Sequence, residues 1–485
     1  MDFKRYFVRK SMATIQAEGN NHDMKRELSA LNLVSLGIGC IIGAGIFVLT
    51  GQAAAQHAGP AIILSFVIAG LACAFAALCY AELASVLPVS GSAYTYAYAT
   101  LGESVAWAMG WLLILEYGLA SATVAVGWSG YVSSLLKEFG LIIPKTLSQP
   151  YFELVNGSLQ ASGGFNLPAI IGILAVTALL VVGVSESAKV NNFIVAVKLF
   201  VVLAFIGVGV FYIDTNNWHP FIPENIGDGK FGVDGILKGA GVIFFAYIGF
   251  EAVSTAAQEA KNPQRDMPIG ILGSLVICTI LYMAVSAVLT GIVSYKELNV
   301  PDPMAVAVDK INIPMLSMLI KLGAVMGLSS VMLVLVYGQT RIFYMMSKDG
   351  LIPQIFSKLH EKYKTPYINT IIVGIVVAIA ASLTPISVLG DLVSMGTLFA
   401  FSIVCFSVLY LHYKHPEMHR TFKTPFMPIT PILGILACSY LIYTIGQGIF
   451  TALKYYFAFG IVLYLIYGQF HSKIGKELKA SSLKD

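Results

Sequence analysis

Charge is what this chain has least of. Only 12% of its 485 residues are charged, about half the ~25% of an ordinary soluble domain. With 57% hydrophobic residues and a mean hydropathy of +0.78, that scarcity excludes a soluble globular protein and predicts a polytopic membrane protein. Cysteine is scarce too. Cys40, Cys73, Cys79, Cys278, Cys405 and Cys438 all lie in apolar stretches and none forms a CxxC. They offer neither a disulfide framework nor metal-ligand spacing, and read as small core hydrophobes. There is no intramembrane His or Asp cluster, no metal constellation and no nucleophile–base set. An enzyme is therefore not expected, and no cofactor is implied. No GxxxxGK[ST] is present, which argues against ATP-driven transport. The first 30 residues are polar and basic, so no cleavable signal peptide is expected. The longest loop, about 136–167, is too short for a folded module.

What the chain has in abundance is long apolar runs. A helix needs about 20 apolar residues to cross the hydrocarbon. Twelve segments qualify, numbered here as helices 1 to 12: 31–55, 60–86, 102–135, 168–186, 191–213, 237–259, 268–293, 315–346, 367–384, 390–413, 430–448 and 453–470. Helices 3 and 8 exceed one crossing and should tilt or extend into water. With both termini cytoplasmic, 21 Lys and Arg fall on the inner side and eight on the outer, leaving Lys198 inside helix 5. The positive-inside rule therefore predicts cytoplasmic termini and an even number of spans.

Two of these segments are interrupted. Helix 1 contains GCIIGAGIFVLTG (39–51), with Gly43 and Gly45 at its middle, and helix 6 contains AYIGFE, with Gly249 and then Glu251. Paired interruptions five helices apart point to a transporter built from inverted repeats. Unwinding a helix in the bilayer frees backbone groups that cost several kcal/mol each unless they line a polar cavity or meet a ligand. The second half of helix 1 begins near Ala44–Ile46, where free N–H groups and the positive dipole end suit an anion. The helix 6 break frees carbonyls at about Phe245, Ala246 and Ile248, which suit an ammonium. A carboxylate on one side and an ammonium on the other describe an α-amino acid. The competing reading is that the glycines only permit tight helix packing; Gly39 and Gly43 have the spacing for it.

The stretch IGCIIGAGIF resembles helix 1 of the amino acid–polyamine–organocation superfamily. CYAELASVLPVSGSAYTYAY (79–98) resembles its helix 2 and re-entrant loop, and FFAYIGFEAVSTAAQEAKNPQRDMPIGI (244–271) its helix 6 through helix 7. YGQTRIFYMMSKDGLIP (337–353) and TPYINT (365–370) extend the match over roughly residues 25–470. The resemblance is strongest to bacterial members of the cationic amino acid transporter branch. It implies an all-α membrane protein of LeuT-type fold, with five plus five inverted helices and helices 11 and 12 appended. The corresponding organisation is a cytoplasmic segment 1–30, repeats 31–213 and 237–413, helices 430–470 and a tail 471–485. It also implies alternating access and amino acid uptake across a bacterial cell membrane. Carried over residue by residue, the carboxylate site falls on the backbone of Ile42, Gly43, Ala44 and Gly45. The ammonium site falls on the backbone of Ile41, Phe245, Ala246 and Ile248. One departure is Glu251, where close relatives usually have Asp.

Ionisable residues inside the membrane are functional hypotheses by default; those read from the sequence are Glu82, Glu116, Lys198 and Glu251. Sodium-coupled members of this fold place a sodium between helices 1, 5 and 8. The resemblance therefore implies that the Lys198 ammonium occupies that cation position, with proton coupling or sodium independence. Lys198 then either carries the proton or props helix 1 against helix 5, with Ser329 and Ser330 as candidate neighbours. Glu116 either faces the substrate side chain, titrates as a second proton site, or is a structural carboxyl. Glu251 reads as a gate or hydrogen-bond anchor, and Glu82 as a brace at the cytoplasmic end of helix 2. Phe245 and Tyr247 flank the helix 6 break and are candidates to cover a substrate.

Leu335 and Val336 put apolar groups where the side-chain pocket should close, favouring a short neutral substrate such as alanine. Arginine or lysine transport and amino acid exchange are the alternatives. A channel needs rings of carbonyls or charges, which are not found; a sensor that binds amino acid without net flux is a further alternative. The expected partners are the amino acid, a proton and the lipid bilayer. A small single-helix membrane subunit is not readable from this chain. The expected cycle rocks helices 1, 2, 6 and 7 against 3, 4, 8 and 9, with the cytoplasmic half of helix 1 swinging away from helix 5.

Overall fold

The computed structural model describes residues 8–10, 28–87, 92–155, 158–183, 188–257, 259–418 and 420–476. Most of the 1–30 segment, the end of the 471–485 tail and residues 88–91 of the 79–98 match lie outside them. The described chain is helical almost throughout, and each of the twelve hydropathy segments coincides with helix. Eight helices are long and apolar enough to cross a membrane, with four shorter apolar ones among the described residues, and the chain is an all-α membrane protein.

Local chemistry sets the helix ends. Helix 1 starts at Ala30 behind Ser29, whose hydroxyl accepts from the Asn32 N–H. Helix 4 (Leu167–Val182) is capped by Asn166 and stops at Gly183, whose φ of 89° releases the chain. Helices 3 (Glu103–Glu138) and 8 (Pro314–Lys348) have 36 and 35 residues. At 1.5 Å per residue they are about 50 Å long, well beyond a ~30 Å hydrocarbon core. They lie along one another and form the scaffold wall of the site, with helix 10 (Ile386–Lys414) also packed on helix 3. The 136–167 loop is not featureless: Phe152–Val155 pairs antiparallel with Ser158–Ala161, Phe152 opposite Ala161.

The two interrupted helices lie against each other inside this wall. The start of helix 1 and the end of helix 6 are tied by a parallel backbone bridge: the Leu28 N–H donates to Glu259 and the Lys261 N–H to Leu28, both at 2.9 Å. Helix 1 is also closed onto helix 5, with Val195 against Gly39 and the Ser35 hydroxyl 3.1 Å from Asn192 Oδ1. On the other side, Tyr131 donates to the Phe47 carbonyl at 2.6 Å, and Pro303, which starts the short Pro303–Ile311 helix, fits against Gly51. These contacts lie on both sides of the two breaks.

Candidate functional site

Helix 1 runs as α-helix to Ile41 and breaks at Ile42, which is extended (φ −71°, ψ 95°). It resumes at Ala44 and passes through a wide π turn over Gly45–Leu49. Residues that restart a helix have no intrahelical acceptor for their N–H groups, so Gly43 and Ala44 offer donors at the break. Helix 6 breaks less sharply. An α-helix over Gly232–Val242 tightens to 3₁₀ over Ile243–Tyr247, opens at Ile248 and Gly249, and continues as 3₁₀ over Glu251–Ala256. Gly249 has φ +124°, a conformation that L side chains rarely adopt.

The glycines bring the two breaks together. A Cβ on Gly45 would lie 2.3 Å from Ala246 Cα, and one on Gly249 would lie 2.7 Å from the Cys40 carbonyl carbon. Each break is seated on the backbone of the other, so close helix approach is what Gly45 and Gly249 make possible. Gly43 instead faces helix 8, its notional Cβ 3.2 Å from Val331. Tyr282 of helix 7 sits at the junction and shares its one hydroxyl proton between the Ile41 and Ala246 carbonyls, at 2.7 and 2.8 Å. Two of the four carbonyls expected to hold an ammonium are therefore engaged by Tyr282, each with a second lone pair left. A third, Phe245, accepts from Ile248 N–H at 3.1 Å. Ser394 of helix 10 accepts from the Phe245 N–H and donates to Val242, which fixes the N-terminal piece of helix 6.

Between the breaks lies a cavity of about 20 Å³, lined by Cys40, Ile41, Gly43, Ala44, Gly45, Ala120, Val124, Phe245, Ile248, Val331 and Leu335. That is room for about one water. Every side chain on the wall opposite the breaks is aliphatic. The structure thus brings Ile41, Gly43, Ala44, Gly45, Phe245, Ile248 and Leu335 together around one space. Ile42, Ala246 and Glu116 do not line it: Ala246 is pressed onto Gly45, and Glu116 lies one turn along helix 3 from Ala120. Tyr247 also points elsewhere. Its hydroxyl donates to Phe66 at 2.8 Å and its ring packs on Phe66 and Tyr282. Val336 is buried without lining the cavity.

Beside the cavity, Glu116 is 1% exposed and neither of its carboxyl oxygens has a hydrogen-bond partner. Glu251 is equally buried; its Oε2 accepts from the Gly249 N–H at 2.8 Å while Oε1 is unpartnered. The two carboxyls are close enough to interact electrostatically, and the unpartnered hydroxyl of Tyr80 lies in the field of both. Buried polar groups left unpaired cost about 1–3 kcal/mol each and mark places where a proton, water or movement completes the bonding.

Lys198 is fully buried and its ammonium donates to the Gly39 carbonyl at 2.7 Å. Its stem packs on Gly327 of helix 8. It therefore joins helices 1, 5 and 8. Ser329, one of its expected neighbours, is turned away: it accepts from the Trp128 indole at 2.8 Å. Glu82 is buried at the end of helix 2, held by His412 at 2.7 Å, Arg420 at 3.1 Å and the Thr424 N–H at 2.7 Å. No group of three or more His, Cys, Asp or Glu able to hold a metal is found among the described residues.

The sequence reading missed Cys40, Ala120, Val124 and Val331 as lining residues and Tyr282 as the link between the breaks. It also missed Lys321, a buried lysine on helix 8 that pairs with Glu138 at 2.5 Å and Asp309 at 2.7 Å. Asp391, within helix 10, was missed as well.

The amino acid permease family profile matches residues 28–466. The chain is 45% identical over 470 residues to the methylthioribose transporter of Bacillus subtilis, covering 97% of this chain and 99% of that one. It is 45% identical over 463 residues to the branched-chain amino acid permease BcaP of the same organism, covering 95% and 97%. The vacuolar cationic amino acid transporter 4 of Arabidopsis thaliana is 39% identical over 398 residues, covering 82% of this chain and 65% of that protein.

Proposed function

The chain belongs to the amino acid permease family, and from that membership we propose that it is a proton-coupled, sodium-independent importer of small neutral aliphatic L-amino acids. It is a transporter and not an enzyme. The observation that carries the substrate reading is the aliphatic wall of Ala120, Val124, Val331 and Leu335 facing two backbone breaks. Backbone N–H and carbonyl groups recognise what all amino acids share. The aliphatic wall supplies no counter-charge, which favours a neutral side chain over arginine or lysine. Alanine is the small end of that range, and the name of the BcaP relative extends it to branched-chain side chains.

The proposed arrangement has two inverted repeats, 31–213 and 237–413, with helices 430–470 appended. The termini, 1–30 and 471–485, are cytoplasmic in a bacterial cell membrane. Substrate enters from outside, with its carboxylate on Gly43 to Gly45 and its ammonium on the carbonyl side of helix 6. Lys198, Glu116 and Glu251 are the groups that couple or gate. Lys198 supports sodium independence, because an ammonium bonded to Gly39 places a fixed cation between helices 1, 5 and 8. The Leu28–Ala260 bridge favours an inward opening in which the cytoplasmic parts of helices 1 and 6 leave helix 5 together.

Uptake of labelled alanine into sodium-free proteoliposomes, with and without an inward proton gradient, tests the proposal. The expected result is gradient-dependent accumulation, inhibited by valine and leucine and not by arginine. Methylthioribose belongs in the same panel, because the relative named for it is as similar as BcaP. A requirement for internal amino acid makes the protein an exchanger. Transport of arginine or methylthioribose without alanine overturns the substrate assignment. Leu335→Ser should admit longer or cationic substrates; unchanged selectivity removes Leu335 from the pocket.

A further inference from the structure

One half-buried acid has no part in the cycle described so far. Asp391 lies in the second turn of helix 10 (Ile386–Lys414), in the half that the proposed orientation turns outward. The residue is only half-buried, yet its Oδ1 is sealed and has no hydrogen-bond partner. Lys238, on the outer piece of helix 6, is the charged group whose field reaches it. The Lys238 ammonium is turned to the loop, donating to the Asp228 carbonyl at 3.0 Å. A carboxylate oxygen sealed without a donor is costly as an anion and far less so as an acid.

Asp391 also heads a run of polar side chains. One turn inward, Ser394 bonds both Val242 and the Phe245 N–H at the helix 6 break. A turn further, Thr397 donates to Val393 and lies beside Glu116. Helix 10 thus carries a carboxyl and two hydroxyls from the outer half of the membrane, past the break, to the carboxyl pair Glu116 and Glu251.

We propose that Asp391 is the outer proton-binding site of the transport cycle, loaded from the extracellular side, at the outer end of the run of polar side chains Ser394, Thr397 and Glu116. A hydronium gives up one proton to the Asp391 carboxylate and leaves as water. Onward transfer to Glu116 needs water or rotation of the Ser394 and Thr397 hydroxyls away from the Val242 and Val393 carbonyls they now bond, and no electrons change hands. Lys238 keeps the unloaded carboxylate tolerable and, bonded to the Asp228 carbonyl, does not occupy its unpartnered oxygen. This inference rests on the proton-coupled reading.

The test compares wild type, Asp391→Asn and Asp391→Glu in proteoliposomes by two readouts. One is uphill alanine uptake driven by an inward proton gradient. The other is alanine counterflow at equal pH, which moves substrate without net proton movement. Asp391→Asn should lower uphill uptake roughly a hundredfold, the scale of losing a positioned proton carrier, with counterflow close to wild type. Asp391→Glu should restore uphill uptake. Wild-type uphill uptake in the Asn variant overturns the assignment, and so does an equal loss of both readouts in the Asn and Glu variants. If the Asn variant does not fold, the Glu variant decides: its external-pH profile should shift from wild type, and an unchanged profile overturns the assignment. A wild type that ignores the proton gradient overturns the proton-coupled reading itself, a result distinct from failure of the variants alone.

Discussion

The breaks in helices 1 and 6 solve one problem with opposite charges. Both expose backbone polar groups in a low-dielectric centre. At helix 1 the group next to the break is the Gly39 carbonyl, near the negative end of a helical piece, and the Lys198 ammonium takes it at 2.7 Å. At helix 6 it is the Gly249 N–H, at the start of a helical piece, and the Glu251 carboxylate takes it at 2.8 Å. Each side chain has the sign that its end of the helix calls for. The supports also differ in origin. Lys198 reaches across from helix 5, whereas Glu251 lies two residues from the group it holds. The helix 1 break is thus braced by its surroundings, and the helix 6 break carries its own anchor.

The largest effect should come from forcing the breaks apart. Gly45→Ala and Gly249→Ala each drive a methyl group into the other helix's backbone, at 2.3 and 2.7 Å. Overpacking of side chains costs about 1–3 kcal/mol, and backbone yields less readily. Both variants should lose uptake to background in proteoliposomes. Gly43→Ala, which meets only the Val331 side chain at 3.2 Å, should retain part of it. Retention of transport in Gly45→Ala would separate the two breaks.

The next effect sharpens the contrast in charge. Lys198→Met strips a buried carbonyl of a charged donor, a loss of about 1.5–3 kcal/mol, or roughly ten- to hundredfold in initial uptake rate. Glu251→Gln keeps an oxygen for the Gly249 N–H and should cost less than Lys198→Met, while Glu251→Ala should approach it. If Gln falls as far as Ala, the negative charge and not the hydrogen bond is what the helix 6 break needs.

The smallest effect concerns the link between them. Tyr282→Phe removes one shared hydrogen bond, about 1 kcal/mol. It should lower the melting temperature of the purified protein by a few degrees or less, with uptake retained. Loss of uptake on the scale of Gly45→Ala would make Tyr282 part of the binding surface.

Much of this arrangement was legible beforehand. The twelve apolar runs coincide with helix because apolar runs of that length have few other uses, while the short helices Ser92–Thr100 and Pro303–Ile311 were not located that way. The breaks were visible because glycine at mid-helix is costly. The reason for Gly45 was not, since its partner Ala246 lies about two hundred residues away and sequence spacing reports only neighbours on one helix. Ala120, Val124 and Val331 escaped notice for a related reason. Helices 3 and 8 are apolar on nearly every face, so no stripe distinguishes the wall of a cavity from the wall of a core. Tyr282 looked like one aromatic among many, and Asp391 was hidden by its closeness to a span end. The hairpin at 152–161 was obscured by its short, exposed strands.

The seating of Gly45 on Ala246 has a consequence for how the protein is made. Helix 1 is synthesised first, and its mate follows about two hundred residues later, roughly 10–40 s at ordinary translation rates. Through that interval the opened turn sits in the membrane with half of its binding partners unborn. Lys198 arrives before helix 6 does and can occupy Gly39 in the meantime. The lysine is therefore placed early enough to chaperone the nascent first half.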